Sequence, residues 1–149
     1  MAIRLSAKID GLDQVRKKFS KAGDAGDAAV RSAIYAVAND LMVKDIIKVT
    51  PKDEGDLRDS WYVSKPFKRI GFSEVGFGAK HAPYVHEMPS DVNWSEPGTG
   101  NKFIEKPFNA RRGRMAEEIA REAKRRFDIN KTRGNFSGGS APTEPKVKK

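Results

Sequence analysis

Four carboxylates crowd into one short stretch of this chain, at Asp53, Glu54, Asp56 and Asp59, and its two histidines, His81 and His86, lie five residues apart with Glu87 beside the second. Such groups could hold a divalent cation or move protons. Their spacing argues against both. The acidic run lacks the alternating Asp-x-Asp-x-Asp-Gly order of a calcium loop and the glutamate expected six residues past its glycine. Histidines five apart do not converge on one point from either a helix or a strand. Asp53 or Asp56 is better suited to satisfying turn amides, and Arg58 to pairing with a carboxylate. In the segment His81–Glu87, Tyr84 and Val85 are expected to pack inward and leave the imidazoles hydrogen-bonded or exposed. Cysteine is absent, so thiolate ligands, disulfides and a cysteine nucleophile are excluded. There is no Gly-x-Ser-x-Gly elbow, no phosphate-binding loop and no dinucleotide fingerprint. The sequence predicts a protein that is not an enzyme and takes no cofactor or metal.

The acidic run owes its position to the elements around it. A helical apolar pattern runs from Ala25 to Val49, with Val30, Ile34, Val37 and Leu41 and the row Ala38, Met42, Ile46 at three- and four-residue spacing. Ala29, Ala33 and their neighbours favour helix and let another element approach closely, either a core partner or a second subunit. Asp24 or Asp27 could cap its start. The helix must end at Thr50, because Pro51 disfavours the α region for the residue before it. Gly55 can then take positive φ and close a tight turn. Trp61, Tyr62 and Val63 have the bulk of a strand. Ahead of this unit, residues 2–9 alternate as a half-buried strand, and Leu12, Val15 and Phe19 mark one face of a short helix. Behind it, residues 70–78 read as a further strand or strand pair, rich in glycine. A second long helix has Pro107 in its first turn, an apolar seam of Phe108, Met115, Ile119, Ala123 and Phe127, and acid-before-base pairs at Glu117–Arg121 and Glu122–Arg126.

Two segments escape this periodicity. Met88–Lys102 is polar and turn-rich, longer than a minimal connection, and carries Trp94 at its middle, either as an interface anchor or folded back on the core. Residues 129–149 read as a flexible basic tail in which Phe136 is the sole aromatic. Its Lys131, Arg133, Lys146, Lys148 and Lys149 against Glu144 account for +4 of the chain's net charge of +9. The folded part is therefore only mildly basic, which weakens a nucleic-acid reading without removing it. No run approaches the ~20 apolar residues that span a bilayer, and the N-terminus lacks the apolar stretch of a secretory signal. The expectation is a soluble, cytoplasmically made chain: a single α+β domain over residues 1–128, with two long helices packed on a small, mostly antiparallel sheet, followed by a disordered basic tail.

The order of a long Ala-rich helix and then Thr50-Pro51-Lys52-Asp53-Glu54-Gly55-Asp56-Leu57-Arg58-Asp59-Ser60 resembles a family of small neck and tail-completion proteins, often labelled minor capsid proteins, of long-tailed phages and prophages. His81-Ala82-Pro83-Tyr84-Val85-His86-Glu87 is similar to the family's Tyr-Ala-x-Tyr-Val segment, and Lys102-Phe103-Ile104-Glu105-Lys106-Pro107-Phe108 to the start of its last helix. Glu54 stands where the family usually has Thr, and His81 where it usually has Tyr. The resemblance implies a virion structural protein at the head–tail junction, assembled as a homo-oligomeric ring matching sixfold tail or twelvefold neck symmetry. Its implied partners are copies of itself and neighbouring neck, tail-terminator or tail-tube proteins, with non-specific DNA contact at most and no membrane. The residues expected at such contacts are Trp94, Phe136, Asp53, Arg58, Lys146, Lys148 and Lys149. The alternative is a basic nucleic-acid-binding accessory protein, whose affinity would fall steeply with salt.

Overall fold

The computed structural model describes residues 3–4, 9–52, 55–66 and 73–136, with the side chains of 9–52, 55–66 and 73–129. Two long helical runs form its centre. The first comprises α2 (Asp24–Asp40), a π-helical segment (Leu41–Ile46) and α3 (Ile47–Val49); the second is α6 (Glu105–Phe136). Their principal contact is with one another. Ala29, Val30, Ala33, Ile34 and Val37 of α2 are buried with Phe108, Met115, Ile119 and Ala123 of α6. The alanines of α2 thus serve the core. At about 1.5–3 kcal/mol for each large side chain removed from water, this seam is the main favourable term in the fold.

Short elements close the ends. Helix α1 (Leu12–Ser20) lays Leu12, Val15 and Phe19 against the core. Gly26 lets α1 and α2 meet, because a Cβ there would lie 1.9 Å from the carbonyl oxygen of Phe19. Strands β1 (Ile3–Arg4), β2 (Trp61–Val63) and β3 (Val75–Phe77) form a small antiparallel sheet in the order β1-β3-β2, with Ile3 and Trp61 both opposite Phe77. Phe77 enters the core edge-on to Phe103 at 5.3 Å between centroids. The α+β class stands in this form: long helices and a small antiparallel sheet, the helices covering each other more than they cover the sheet. Residues 2, 5–8 and 70–72 of the expected strands lie outside the described residues.

Three local expectations need correction. The cap of α2 is Gly23 (φ 72°), with no side-chain cap, so Asp24 and Asp27 sit inside the first turn, where they complement the helix dipole instead. Leu57 is drawn into the core and turns Asp56–Asp59 into a short helix, α4, ahead of β2. Helix α6 continues to Phe136, through residues expected in the tail; propagation from a long packed helix outweighs the poor propensity of Gly134 and Asn135.

The π segment is the feature that periodicity does not disclose. The amide of Ile47 donates to the carbonyl of Met42, five residues back. That wider turn brings Asp40 and Asp45 to the same side, facing α6. There the buried Arg111 donates through Nη2 to Asp40 Oδ2 (2.7 Å), through Nη1 to Asp45 Oδ2 (3.0 Å) and through Nε to Glu118 Oε2 (2.9 Å). Its guanidinium is held charged: burial pulls its pKa down, but the carboxylates of Asp40, Glu118 and Asp45 more than offset that. Arg111 is thus an internal clamp between the two helical runs.

Candidate functional site

The acidic turn is built around the buried Thr50. As the long helix ends, Thr50 turns extended (φ −72°, ψ 126°) and its Oγ1 donates back to the Ile46 carbonyl at 2.7 Å. Pro51 is buried behind it, and Gly55 takes φ 92°, as the turn requires. Arg58, on α4, then folds back. Its Nε donates to the Thr50 carbonyl and its Nη2 to Glu96 Oε2, both at 2.8 Å.

That bridge to Glu96 is one of several ties between the turn and the segment 88–102. Ser95 Oγ donates to the Lys52 carbonyl (3.1 Å) and the Gly100 amide to that of Val49 (3.1 Å), while the Lys102 amide ties the segment to the His86 carbonyl (2.8 Å) and Asn101 Nδ2 closes it on its own Met88 carbonyl (2.8 Å). The segment has no helix or strand, yet it is fastened along its length to the end of the first helical run and to α5 (Ala82–His86). Its polar residues face the carbonyls that a helix end leaves without intrahelical partners.

Helix α5 divides the two histidines. Ala82 and His86, four apart, face inward, while Tyr84 lies on the opposite side and is 75% exposed. This corrects the expectation that Tyr84 packs inward: a single helical turn puts i and i+4, Ala82 and His86, on the buried face and turns Tyr84 away from it. Val85 does pack against the core, half-buried. His86 is buried edge-on to Phe103 at 5.0 Å, with Nδ1 2.9 Å from Glu87 Oε1. Glu87 also accepts from Lys102 Nζ. The Lys102 and His86 hydrogen bonds hold the Glu87 carboxyl below its usual range, and Glu87 in turn raises Lys102. His81 is exposed on the other side of the turn. Among the described residues, no group of three His, Asp or Glu side chains is placed to hold a metal ion.

Between the acidic turn, α5 and the 88–102 segment lies a groove of about 410 Å³. Pro51, Leu57 and Val85 form its apolar side, Trp94 and Met88 its lip, and Lys52, Asp56 and His81 its polar edge. Outside it stands the exposed Tyr84, four residues before the lip residue Met88, which is itself 38% exposed. An apolar floor with an aromatic residue and a charged edge suits a docked peptide segment better than a reacting small molecule.

The expected contact residues are distributed as follows. Trp94 lines the groove, half-buried. Arg58 stands beside it but spends its donors inside the fold. Asp53, Lys146, Lys148 and Lys149 lie outside the described residues, and Phe136 is described only as the last helical residue of α6. Sequence reasoning missed Met88 and His81 as groove residues and Tyr84 as an exposed group beside them. The signal was present: Ala82 and His86 at i,i+4 with Pro83 at the first helical turn mark a helical turn.

The family model HK97-gp10_like, described as "Bacteriophage HK97-gp10, putative tail-component", matches residues 13–87, which include the helix, the acidic turn, the sheet strands β2 and β3, and α5. No curated protein and no solved structure matches the chain.

Proposed function

We propose, since this chain belongs to the HK97-gp10-like family of phage tail components, that it is a structural protein of the virion at the head–tail junction, acting by assembly and not by catalysis. The observation that carries this reading is the coincidence of the family match with the groove. Residues 13–87 contain the turn and α5, which form most of the groove's walls, together with the helix that positions them. Copies assemble head-to-tail into a ring, each contact heterologous and the ring closed by rotation, so that one chain type can complete a tail or neck of matching symmetry. Neighbouring neck, tail-terminator or tail-tube proteins dock on the ring. The surface of α6 favours this over a nucleic-acid-reading role: Arg111 is clamped by three carboxylates, and Glu122 pairs with Arg125 and Arg126. Contact with DNA passing the ring falls to the lysines near the C-terminus.

Disrupting the gene in the phage or prophage that encodes the chain tests the location. Electron microscopy of the lysate should show DNA-filled heads and separate tails, and joined particles should return when the intact gene is supplied in trans. Joined, infectious particles without the protein would overturn the proposal.

A further inference from the structure

The sheet ends on an edge with unused hydrogen-bonding groups. Strand β2 is the outer strand in the order β1-β3-β2, and beyond β3 its principal contact is with α2. The Gly78 amide donates to the Ser60 carbonyl (2.9 Å) and the Ser64 amide to the Glu74 carbonyl (2.8 Å). Hydrogen-bonded pairs alternate with non-bonded ones along an antiparallel ladder, and here Trp61 pairs with Phe77 and Val63 with Val75. Ser60, Tyr62 and Ser64 therefore face β3 with their ladder groups. Trp61 and Val63 turn their main-chain groups outward, and among the described residues neither their amides nor their carbonyls have a hydrogen-bond partner. The Trp61 side chain lies on the core face beside Phe77 and is still 37% exposed, so the core runs out at this edge. An edge of this kind is a template for another strand.

We propose that β2 pairs antiparallel with β2 of a second copy of this chain, about a twofold axis that passes between the two Tyr62 residues. In that register Trp61 of each copy lies opposite Val63 of the other, and every outward amide and carbonyl of β2 gains a partner. Sliding the strands by two residues opposes Trp61 to Trp61 or Val63 to Val63, and leaves half of these groups beyond the partner strand. The pairing also sets an aromatic beside a β-branched side chain on the core face of both copies, a favourable cross-strand combination that covers Trp61. The flanking charges agree with it. Asp59 precedes the edge and Lys65 follows it; both are exposed, and neither has an ion-pair partner among the described residues. Lys65 instead stands 5.8 Å from the centre of the Tyr35 ring. Antiparallel pairing brings Asp59 of each copy to the end where Lys65 of the other stands, whereas parallel pairing would set like charges together. The contact is isologous and closes at two chains, so it belongs to the unassembled protein, where it covers an edge that would otherwise pair indiscriminately. It goes beyond the virion reading and does not rest on it, because a ring is built from heterologous contacts.

Disulfide trapping in the full chain tests the register, because the sequence has no cysteine of its own. Opposed residues of a non-hydrogen-bonded pair have Cα atoms about 4.5 Å apart, inside the roughly 4.4–6.8 Å that a disulfide bridges. Tyr62→Cys should therefore give a covalent dimer under mild oxidation, while Val43→Cys, at a residue 47% exposed on the first helical run, should not. Sedimentation velocity of the parent should show reversible monomer–dimer association in the micromolar range, as suits a small contact. Val63→Pro removes an amide that points away from β3, a change edge strands tolerate, and should leave a folded monomer. Asp59→Lys should weaken association, and Asp59→Lys with Lys65→Asp should restore it, a rescue that damage to the fold would not give. A parent that stays monomeric throughout that range, a Val63→Pro variant that associates like the parent, or a charge swap without rescue would each overturn the assignment. So would Tyr62→Cys cross-linking no faster than Val43→Cys; if Val63→Pro still abolished association, a different strand would occupy the edge. The two proposals fail separately. A chain that is monomeric in solution but present in particles removes the pair alone, whereas a Tyr62→Cys dimer formed by a protein absent from particles removes the virion role alone.

Discussion

Arg111 Nη2 lies 2.7 Å from Asp40 Oδ2, joining α6 to the last residue of α2 where the helix widens into its π segment. With Asp45 and Glu118 on its remaining donors, this one guanidinium fixes the two long helices in register. The groove hangs from the far end of that segment, at Thr50, so the clamp also sets where the acidic turn stands.

Arg111→Ala should therefore be among the costliest substitutions on α6. Removing one partner of a fully buried ion pair costs roughly 3–5 kcal/mol. The Asp40 and Asp45 side chains are 34% and 40% exposed and retain some hydration, so the expected loss is about 2 kcal/mol, read as a lower urea midpoint with unchanged slope. Arg114→Ala, at a side chain 67% exposed, should change stability by less than about 0.5 kcal/mol.

The same clamp makes stability depend on acid. Burial raises the pKa of Asp40, but the hydrogen bonds and charges of Lys44 and Arg111 outweigh it and the net shift is downward. Glu122 is lowered by its hydrogen bond from Arg125, with Arg126 adding to it against a smaller desolvation effect. A carboxyl whose folded pKa lies below its unfolded one contributes fully above the unfolded value, about 4, and loses that contribution as pH falls through the folded value. Denaturation midpoints should hold from neutrality to about pH 5 and then decline. Asp40→Asn should lower the neutral plateau and flatten the acid limb.

Arg58 links Thr50 to Glu96 and so holds the 88–102 segment on the turn. Arg58→Ala should cost about 1–2 kcal/mol, since both its hydrogen bonds come from a charged donor and one of them goes to a carboxylate. The effect should be local: faster hydrogen exchange at the Gly100 and Lys102 amides, with the α2–α6 seam still protected.

Two glycines separate steric from conformational demands. Gly26→Ala forces Cβ against the Phe19 carbonyl and should destabilise by about 1–3 kcal/mol, as overpacking does. Gly55→Ala meets only an ordinary contact, 3.7 Å from Asp59 Oδ2, but must hold φ at 92°, a left-handed strain of roughly 1–2 kcal/mol. Thermal unfolding of both variants checks the pair. Near-native stability for either would contradict the corresponding geometry.

Much of this fold is legible along the chain. The helix ends at Thr50 because Pro51 allows nothing else, and the apolar rows on both long helices are those that meet. Local chemistry also places the turn glycine and the strand at Trp61. Illegible were the features set by distant partners. The π turn exists where Arg111, on another helix, rewards bringing Asp40 and Asp45 together. The loop-like composition of Met88–Lys102 does not reveal that its side chains and amides find the carbonyls of Val49, Lys52 and His86. Of the candidate site, Trp94 could be picked out by its type in a polar loop, but Tyr84 and Met88 required knowing that residues 82–86 make a helical turn.

The central claim, a structural place in the virion, is tested most directly by quantitative mass spectrometry of purified particles from the encoding phage or prophage. The account predicts a small fixed number of copies per particle, in integral proportion to the portal ring. A protein abundant in the lysate but missing from mature particles would contradict it.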